Sequence, residues 1–170
     1  MQPLYDPEAV KPMWEELAQV GIRPLTTSAD VDAAIQREGT TLVVVNSVCG
    51  CAAGGARPGV MAALQHKVIP DHLSTVFAGV DREATQRARE YMSEVPPSSP
   101  CIALFKNGKP AFVLERGHIE QMGAPGITEI LKKAFDELCS RPGPSIPPEE
   151  YEKLNPVKMC GSSIPMYGQG

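Results

Sequence analysis

The sequence predicts a single α/β domain in which helices flank a central mixed β-sheet. Helical and strand patterns alternate through the first part of the 170-residue chain, and a β-hairpin and an apolar helix follow. Within the alternating part, residues 40–48 form a nearly continuous apolar run, which is typical of a strand whose two faces are both covered by helices. The content of 42% hydrophobic and 21% charged residues suits one domain with a workable core.

The spacing of apolar residues predicts each element in turn. Helices are predicted where apolar residues recur every three or four positions, and strands where β-branched residues cluster. The predicted helices cover residues 7–20, 28–38, 58–68, 82–92 and 127–138, and the predicted strands cover 40–48, 74–80, 101–105 and 110–114. Pro12 starts or bends the first helix. Asn107-Gly108 is a typical hairpin turn.

Two thiols separated by one glycine, Cys49-Gly50-Cys51, directly follow the apolar strand. Residues two apart share a side in extended chain but not in a helix, so a usable pair of this kind belongs at a strand-to-helix junction. Gly50 has no side chain to keep the two sulfurs apart. Because a disulfide closed over one residue is strained, we expect the pair to oxidise or isomerise more readily than it reduces.

Cys49 is the expected nucleophile of this pair. The following helix would direct its unpaired amides and the positive end of its dipole at Cys49, and Arg57 would add positive charge, so both would favour the thiolate. The competing interpretation is a pair of inert, buried cysteines. The strand before the motif, the glycines after it and the later Ser99-Pro100 favour thiol chemistry instead.

The order of elements, a βαβ half that carries the cysteines followed by a hairpin and a last helix, is that of the thioredoxin fold. Proteins with this fold have a cis-proline at the start of the hairpin's first strand, facing the cysteines, and Ser99-Pro100 stands at the corresponding place. We therefore expect a thioredoxin-like domain over residues 1–139 with an extra N-terminal helix. Residues 140–170 are rich in proline and glycine and are predicted to form an extended tail.

Three blocks of the sequence also resemble the bacilliredoxins, thioredoxin-fold proteins with a CGC site. The block Val-Asn-Ser-Val-Cys-Gly-Cys-Ala-Ala-Gly-Gly-Ala-Arg-Pro at 45–58 is similar to their signature, and 97–108 and 134–137 are similar to their second block and closing helix. The resemblance implies that Cys49 attacks the mixed disulfide between a client cysteine and bacillithiol, and that another thiol then releases it. It implies a resolving or isomerase role for Cys51.

Other residues near the motif are expected to contact the substrate. We expect Pro100 to form a platform for the substrate backbone. The residues predicted to bind substrate are Gly50, Arg57, Ser99 and Pro100.

Two further cysteines depart from the family pattern and are candidate accessory thiols. Cys101 is interpreted as a third redox thiol or, preferably, as a buried residue of the hairpin's first strand. Cys160 is either a swinging thiol or an incidental cysteine on a solvated tail. The tail residues whose side chains could let it dock on the domain are Tyr151, Leu154, Val157 and Met159.

Composition limits the compartment and the partners. The net charge is −4 and no cluster of Lys and Arg alternates with aromatic residues, so no nucleic acid partner is expected. The sequence has neither a leader-like start nor an apolar run of membrane-spanning length, and we expect a cytoplasmic protein with no membrane partner. Five cysteines at irregular spacings favour catalytic or metal-binding roles in a reducing compartment.

Three functions remain open. The favoured one is a thiol-disulfide oxidoreductase without a bound cofactor or metal, which acts on S-thiolated client proteins with bacillithiol or another small thiol as co-substrate and is recycled by a thiol or a disulfide reductase. The second is a metal carrier that uses the CGC pair with Cys101, Cys160 or a histidine, because thiolates bind zinc, copper(I) and iron-sulfur clusters. The third is an interaction protein without turnover. A homodimer is left open.

Overall fold

The computed structural model describes residues 1–154 and 165–168. A π-helical segment, Ala52–Ala56, runs directly into the third α-helix. The helices are α1 (Pro7–Ala18), α2 (Ser28–Ile35), α3 (Arg57–Ala63), α4 (Arg82–Glu90), α5 (Arg116–Leu138) and α6 (Pro148–Glu152). The strands are β1 (Arg23–Pro24), β2 (Thr40–Asn46), β3 (Val68–Ile69), β4 (His72–Phe77), β5 (Cys101–Lys106), β6 (Lys109–Leu114) and β7 (Arg141–Pro142).

Five strands form the central sheet, in the order β1-β4-β2-β5-β6. Strands β1, β4 and β2 are parallel, whereas β5 and β6 are antiparallel to their neighbours. This order and these directions are those of the thioredoxin fold. The predicted fold class is therefore confirmed, and α1 is the predicted extra N-terminal helix.

The central strand β2 is buried along its whole length, as its apolar run predicts. Leu42 and Val44 point to one face of the sheet, where they pack with residues of α3 and α5. Val43 and Val45 point to the other face, where they pack with residues of α2 and α4. Each fully buried side chain of this kind stabilises the fold by about 1.5–3 kcal/mol, so the strand that leads to the cysteines is firmly held.

Helix α5 begins well before the predicted start at residue 127. Its first part is separated from the apolar part by Gly123, whose φ of 66° turns the chain between the two. The helical spacing of apolar residues is clear only after this kink, which explains why the sequence predicts only the second part. The first part matters for the site because it carries Arg116 and Glu120.

The beginning of the tail packs against the domain. Strand β7 pairs with β3, and the side chains of Ile146, Tyr151 and Leu154 contact the core on the side of α3 and α5. Residues 141–154 of the tail thus lie against the domain, and Tyr151 and Leu154 make the docking contacts that the sequence left open. Val157 and Met159 lie outside the described residues, and the division of the chain at residue 139 stays a prediction.

The far end of the tail returns to the N-terminal segment. The Asp6 amide donates to the Pro165 carbonyl at 3.1 Å, and the Tyr167 amide donates to the Leu4 carbonyl at 3.1 Å. None of the helices in the described part of the chain combines the length and the apolar character that crossing a membrane requires.

Candidate active site

The two cysteines lie where the parallel strand β2 passes into a helix. After β2 ends at Asn46, two residues lead to Cys49, and helical structure begins at Gly50. The Ala52 and Ala53 amides donate to the Cys49 carbonyl at 3.1 and 3.2 Å, so Cys49 directly precedes the first helical turn. Both cysteines are free and partly exposed. The predicted strand-to-helix junction is confirmed.

Small residues after the motif let this helical segment lie close to α5. The π-helical segment contains only alanine and glycine. A Cβ atom at Gly55 would already lie 3.5 Å from side-chain atoms of Ile119 and Ile127. This close packing places the first part of α5 beside the cysteines.

Cys51 faces a carboxylate on α5. Its Sγ donates to Oε1 of Glu120 at 3.5 Å, and the same oxygen accepts from Nε of Arg116 at 2.8 Å. Burial, followed by the hydrogen bond to Glu120, raises the pKa of Cys51. Cys51 is thus held as a thiol, which suits a residue that reacts after its neighbour.

Arg116 is the exposed cation beside the cysteine pair. Its Nη1 donates to the Ser99 carbonyl at 3.4 Å and its amide donates to Oγ of Ser98 at 3.3 Å. The hydrogen bond to Glu120 and then the negative charge of Cys49 raise the pKa of Arg116. Sequence reasoning missed Arg116 and Glu120. Their spacing of four residues signals a helical ion pair, but nothing local signals that the pair faces the cysteines.

Arg57 does not lie where a substrate could reach it. Its side chain is completely buried, with 0% exposure. Nε donates to Oε2 of Glu16 at 3.3 Å, and Nη1 donates to Oδ1 of Asn46 at 3.0 Å and to the Ser47 carbonyl at 2.9 Å. The prediction of Arg57 as a substrate-binding residue is therefore wrong, because α3 turns the side chain inward between α1 and the end of β2.

Arg57 instead supports the loop that carries Cys49. The Ser47 amide donates to Oδ1 of Asn46 at 2.9 Å, and the Cys49 amide donates to Oγ of Ser47 at 3.1 Å. Hydrogen bonds thus connect the buried guanidinium to the backbone of Cys49 through two intermediate residues. Burial lowers the pKa of Arg57, while Glu16 and then the charge of Cys49 act in the opposite direction.

A cleft of about 760 Å³ opens beside Cys49. Ser47, Val48, Ser99 and Arg116 line it together with Cys49. The peptide bond between Ser99 and the next residue is cis, as the resemblance to the thioredoxin fold implies.

The structure separates the predicted substrate-binding residues by their exposure. Gly50 is exposed, Ser99 is partly buried and lines the cleft, and Pro100 is buried. Contact of these three residues with a substrate stays a prediction.

The remaining cysteines lie apart from the cleft or outside the described residues. Cys101 is 3% exposed and pairs with Val45 across the sheet, so its interpretation as a buried strand residue is confirmed. Burial, with a smaller effect of Glu115, raises the pKa of Cys101 to about 11. Cys139 directly follows α5 and is partly buried. The candidate thiol Cys160 lies outside the described residues.

Metal-ligating side chains are not concentrated near the motif. Within residues 1–154 and 165–168, no three His, Cys, Asp or Glu side chains are grouped so that they could hold a metal ion. In this part of the chain, the metal-carrier alternative rests on Cys49 and Cys51 alone.

Several solved thioredoxins resemble the structure. Oxidised thioredoxin from Plasmodium falciparum gives a TM-score of 0.48 at 16% identity, covering 68% of this chain and 99% of that one. Oxidised mitochondrial thioredoxin 3 from Saccharomyces cerevisiae gives a TM-score of 0.47 at 18% identity, covering 71% of this chain and 99% of that one. The fold assignment rests on the strand order and directions described above.

Sequence comparison identifies the family. The family described as Disulphide isomerase matches residues 5–139. A Bacilliredoxin of Cytophaga hutchinsonii is 52% identical over 135 residues, which cover 79% of this chain and 100% of that protein. A Bacilliredoxin of Geobacillus kaustophilus is 50% identical over 137 residues, covering 81% and 94%. A Bacilliredoxin of Salinibacter ruber is 45% identical over 166 residues, covering 95% of both chains. The chain belongs to the bacilliredoxin family, and its kind of function is that of a thiol-disulfide oxidoreductase.

Proposed function

We propose that this protein removes bacillithiol, or a similar low-molecular-weight thiol, from mixed disulfides on client proteins through nucleophilic Cys49. The observation that carries the proposal is the arrangement of the two thiols. Cys49 lines an open cleft at the start of a helix, whereas Cys51 is held as a thiol against Glu120. A nucleophile that meets the substrate first and a second thiol that reacts later are what such an exchange requires.

The first step is a thiol-disulfide exchange. The Cys49 thiolate attacks the sulfur of the small thiol in the mixed disulfide and forms a new S–S bond with it. The client cysteine leaves with the electron pair of the broken bond and takes up a proton. One disulfide is formed and one is broken, so this step needs no further oxidant or reductant.

The second step frees Cys49. A second molecule of the small thiol attacks the Cys49 mixed disulfide and leaves as a symmetric disulfide. Alternatively, Cys51 attacks Cys49, releases the small thiol and forms the Cys49–Cys51 disulfide, which a reducing dithiol or a disulfide reductase then opens. We place these reactions in the cytoplasm, where thiols are kept reduced.

Intact mass spectrometry tests the proposal with the full chain. Each reduced protein is mixed with a bacillithiolated client, and a glutathionylated client serves as the comparison. We expect Cys51→Ser to accumulate an adduct with the mass of bacillithiol and Cys49→Ser to form none. Cys101→Ser is the matched control, because Cys101 is buried, and should behave like the wild type.

The outcomes separate the alternatives clearly. Loss of bacillithiol from the client with an adduct on Cys49 supports the proposal. Equal transfer of glutathione shows that the enzyme acts on small thiols in general, and bacillithiol specificity is then wrong. A chain that forms no adduct with either client is not an oxidoreductase of this type.

Disulfide isomerase activity is a second candidate, which the description of the matching family favours. Recovery of activity by a scrambled disulfide-bonded enzyme tests it. Recovery that needs both Cys49 and Cys51 supports isomerase activity. Recovery no faster than with free small thiol contradicts it.

A further inference from the structure

One wall of the cleft beside Cys49 is a polar face of α4 and of the residues that follow it. Counted from the first of them, these residues follow at intervals of 3, 4, 7, 8 and 11 positions, and residues at such intervals share one side of a helix. They are Arg82, Thr85, Gln86, Arg89, Glu90 and Ser93.

The charges in this cleft are not balanced. Glu90 is paired with Arg87 at 2.6 Å, and Arg116 is paired with Glu120. Arg82 and Arg89, in contrast, make no ion pair with any carboxylate in the described part of the chain. The cleft is therefore lined by three arginines, Arg82, Arg89 and Arg116, and by one carboxylate, Glu90, which leaves an excess of positive charge.

The protein supplies hydrogen-bond acceptors for only some of the N–H groups of these two arginines. Nη1 of Arg82 donates to the Gln2 carbonyl at 3.2 Å, and Nη2 of Arg89 donates to the Ser98 carbonyl at 3.5 Å. Nε of Arg89 is buried and has no hydrogen-bond partner within residues 1–154 and 165–168. Apart from these two bonds, the guanidinium groups of Arg82 and Arg89 make no hydrogen bond within the described residues, so each retains N–H donors for a ligand.

We propose that Arg82 and Arg89 bind the carboxylates of a small anionic thiol whose sulfur reacts with Cys49. The inference rests on the proposed exchange at Cys49 and names the residues that select its co-substrate. Guanidinium groups bind carboxylates through two parallel hydrogen bonds. The two residues are seven positions apart, about two helical turns, and therefore lie on the same side of α4.

The size of the cleft favours a small molecule over a peptide. Its volume of about 760 Å³ lies within the range of roughly 300–1,000 Å³ for small-molecule sites. Cys49 and both arginines line this same cleft, so one ligand can contact all three. An acidic client segment is the competing occupant.

The test compares an anionic and an uncharged disulfide as probes of Cys49. Dithiobis(nitrobenzoate) carries two carboxylates, and dithiodipyridine is neutral. With either probe, the Cys49 thiolate attacks one sulfur, the mixed disulfide forms on Cys49, and the other half leaves as a thiolate with the electron pair of the broken bond. All proteins in this test carry Cys51→Ser, so that Cys51 cannot displace the probe from Cys49. Mass spectrometry of the full chain confirms the modified residue, and the ratio of the two rates is measured at low ionic strength.

The decisive variant is Arg82→Gln/Arg89→Gln. We expect the ratio of the anionic to the uncharged rate to fall by about tenfold, as the loss of charged hydrogen bonds predicts. Arg82→Lys/Arg89→Lys keeps the charge without the guanidinium groups, and its rate ratio should fall less. The matched control is Arg23→Gln/Arg37→Gln, which removes the same charge from two exposed arginines that line a different cleft.

Three results would overturn the inference. If the rate ratio falls equally in the control variant, the overall electrostatic potential of the protein, and not a site at Arg82 and Arg89, attracts the anionic probe. If the rate with the uncharged probe falls as much as the rate with the anionic probe, the two arginines maintain the structure around Cys49 and do not bind the anion. Protection of Cys49 from the anionic probe by an acidic peptide, but not by succinate, means that the cleft binds clients. If the double variant does not fold, Arg82→Gln alone is measured, because Arg82 makes a single hydrogen bond within the described residues, to the Gln2 carbonyl near the start of the chain.

Failure of this inference is distinguishable from failure of the proposed function. A rate ratio that depends on Arg82 and Arg89, with no transfer from a thiolated client, leaves the anion site intact and refutes the exchange function. Transfer from the client, combined with a rate ratio that does not change when both arginines are replaced, refutes the anion site alone.

Discussion

The Nη1 atom of Arg57 lies 3.0 Å from Oδ1 of Asn46, the last residue of β2, although the guanidinium is completely buried. The same side chain forms an ion pair with Glu16 of α1. Nδ2 of Asn46 in turn donates to the Met13 carbonyl of α1 at 3.2 Å. The extra N-terminal helix is therefore joined by buried polar contacts to the strand end that leads to Cys49.

Removing one partner of this buried pair should be strongly destabilising. We expect Arg57→Met to lower the free energy of unfolding by about 3–5 kcal/mol, because Glu16 would keep a buried charge. Glu16→Leu combined with Arg57→Met should lose less than Arg57→Met alone, since no charge is then left buried. Urea unfolding of the three proteins measures both differences. A double variant less stable than Arg57→Met would contradict this account of the pair.

Replacing the carboxylate beside Cys51 should make its thiolate easier to form. The Glu120 carboxylate accepts the thiol hydrogen and its charge opposes a second negative charge, so Glu120→Gln is expected to lower the pKa of Cys51. The proton is then lost at lower pH, and the resolving step near neutral pH should be severalfold faster. Ultraviolet titration of the thiolate in a Cys49→Ser background measures the pKa.

The control for this prediction is Glu129→Gln. Glu129 lies on the same helix and pairs with Lys132 at the helix surface, so its replacement removes one charge away from the motif. It should leave the titration of Cys51 unchanged. A pKa of Cys51 that is equal in Glu120→Gln and the wild type would show that burial alone holds this residue as a thiol.

Cys101 should make the fold sensitive to alkali. Burial raises the pKa of Cys101 from about 9 to about 11, so the folded protein binds this proton more tightly than the unfolded chain. The resulting stabilisation is present below pH 9 and is lost as the pH rises to about 11. It amounts to about 2–3 kcal/mol in total. Urea unfolding of the wild type and Cys101→Ala across this interval should show the wild-type advantage shrinking.

Reactivity gives an independent check on Cys101. Iodoacetamide at mildly alkaline pH should modify Cys49 in the folded protein and reach Cys101 only after unfolding, because Cys101 is 3% exposed. Modification of Cys101 at a rate close to that of Cys49 would restore its candidacy as an accessory redox thiol.

The packing of the tail should be sensitive to a single methyl group at Gly143. A Cβ atom there would collide with the His66 carbonyl, and the Gly143 amide donates to the Lys67 carbonyl at 2.9 Å. We expect Gly143→Ala to lower the free energy of unfolding by about 1–3 kcal/mol, as overpacking does. Thermal unfolding measures the loss.

Gly117→Ala is the matched control for the tail. It lies in the first turn of α5, and an added Cβ would meet no atom within 4 Å among the described residues. It should be neutral or slightly stabilising, since alanine favours helices over glycine. Equal stability of the two alanine variants would mean that the tail contributes nothing to the stability of the domain.

Local patterns were sufficient to predict most of the sheet. The alternation of Leu42, Val43, Val44 and Val45 between two cores follows from the geometry of a strand. The hairpin turn is formed by Asn107 at φ 50° and a glycine at φ 83°, as this dipeptide predicts. Strands β1, β3 and β7 were missed because each has two residues, too few for any period to show.

The sequence by itself determined the chemistry of the motif and its position in the chain. An apolar strand, two thiols and a run of small residues specify a strand-to-helix junction through local conformational preferences. Tertiary structure alone decided which charges surround those thiols. Arg57 is near Cys49 in the chain, but α3 turns its side chain inward. Glu120 lies 69 positions after Cys51 in the chain, yet it contacts Cys51 because α5 packs against the π-helical segment that follows the cysteines. The influence of a charge depends on distance and burial, and both are set by packing between elements distant in the sequence.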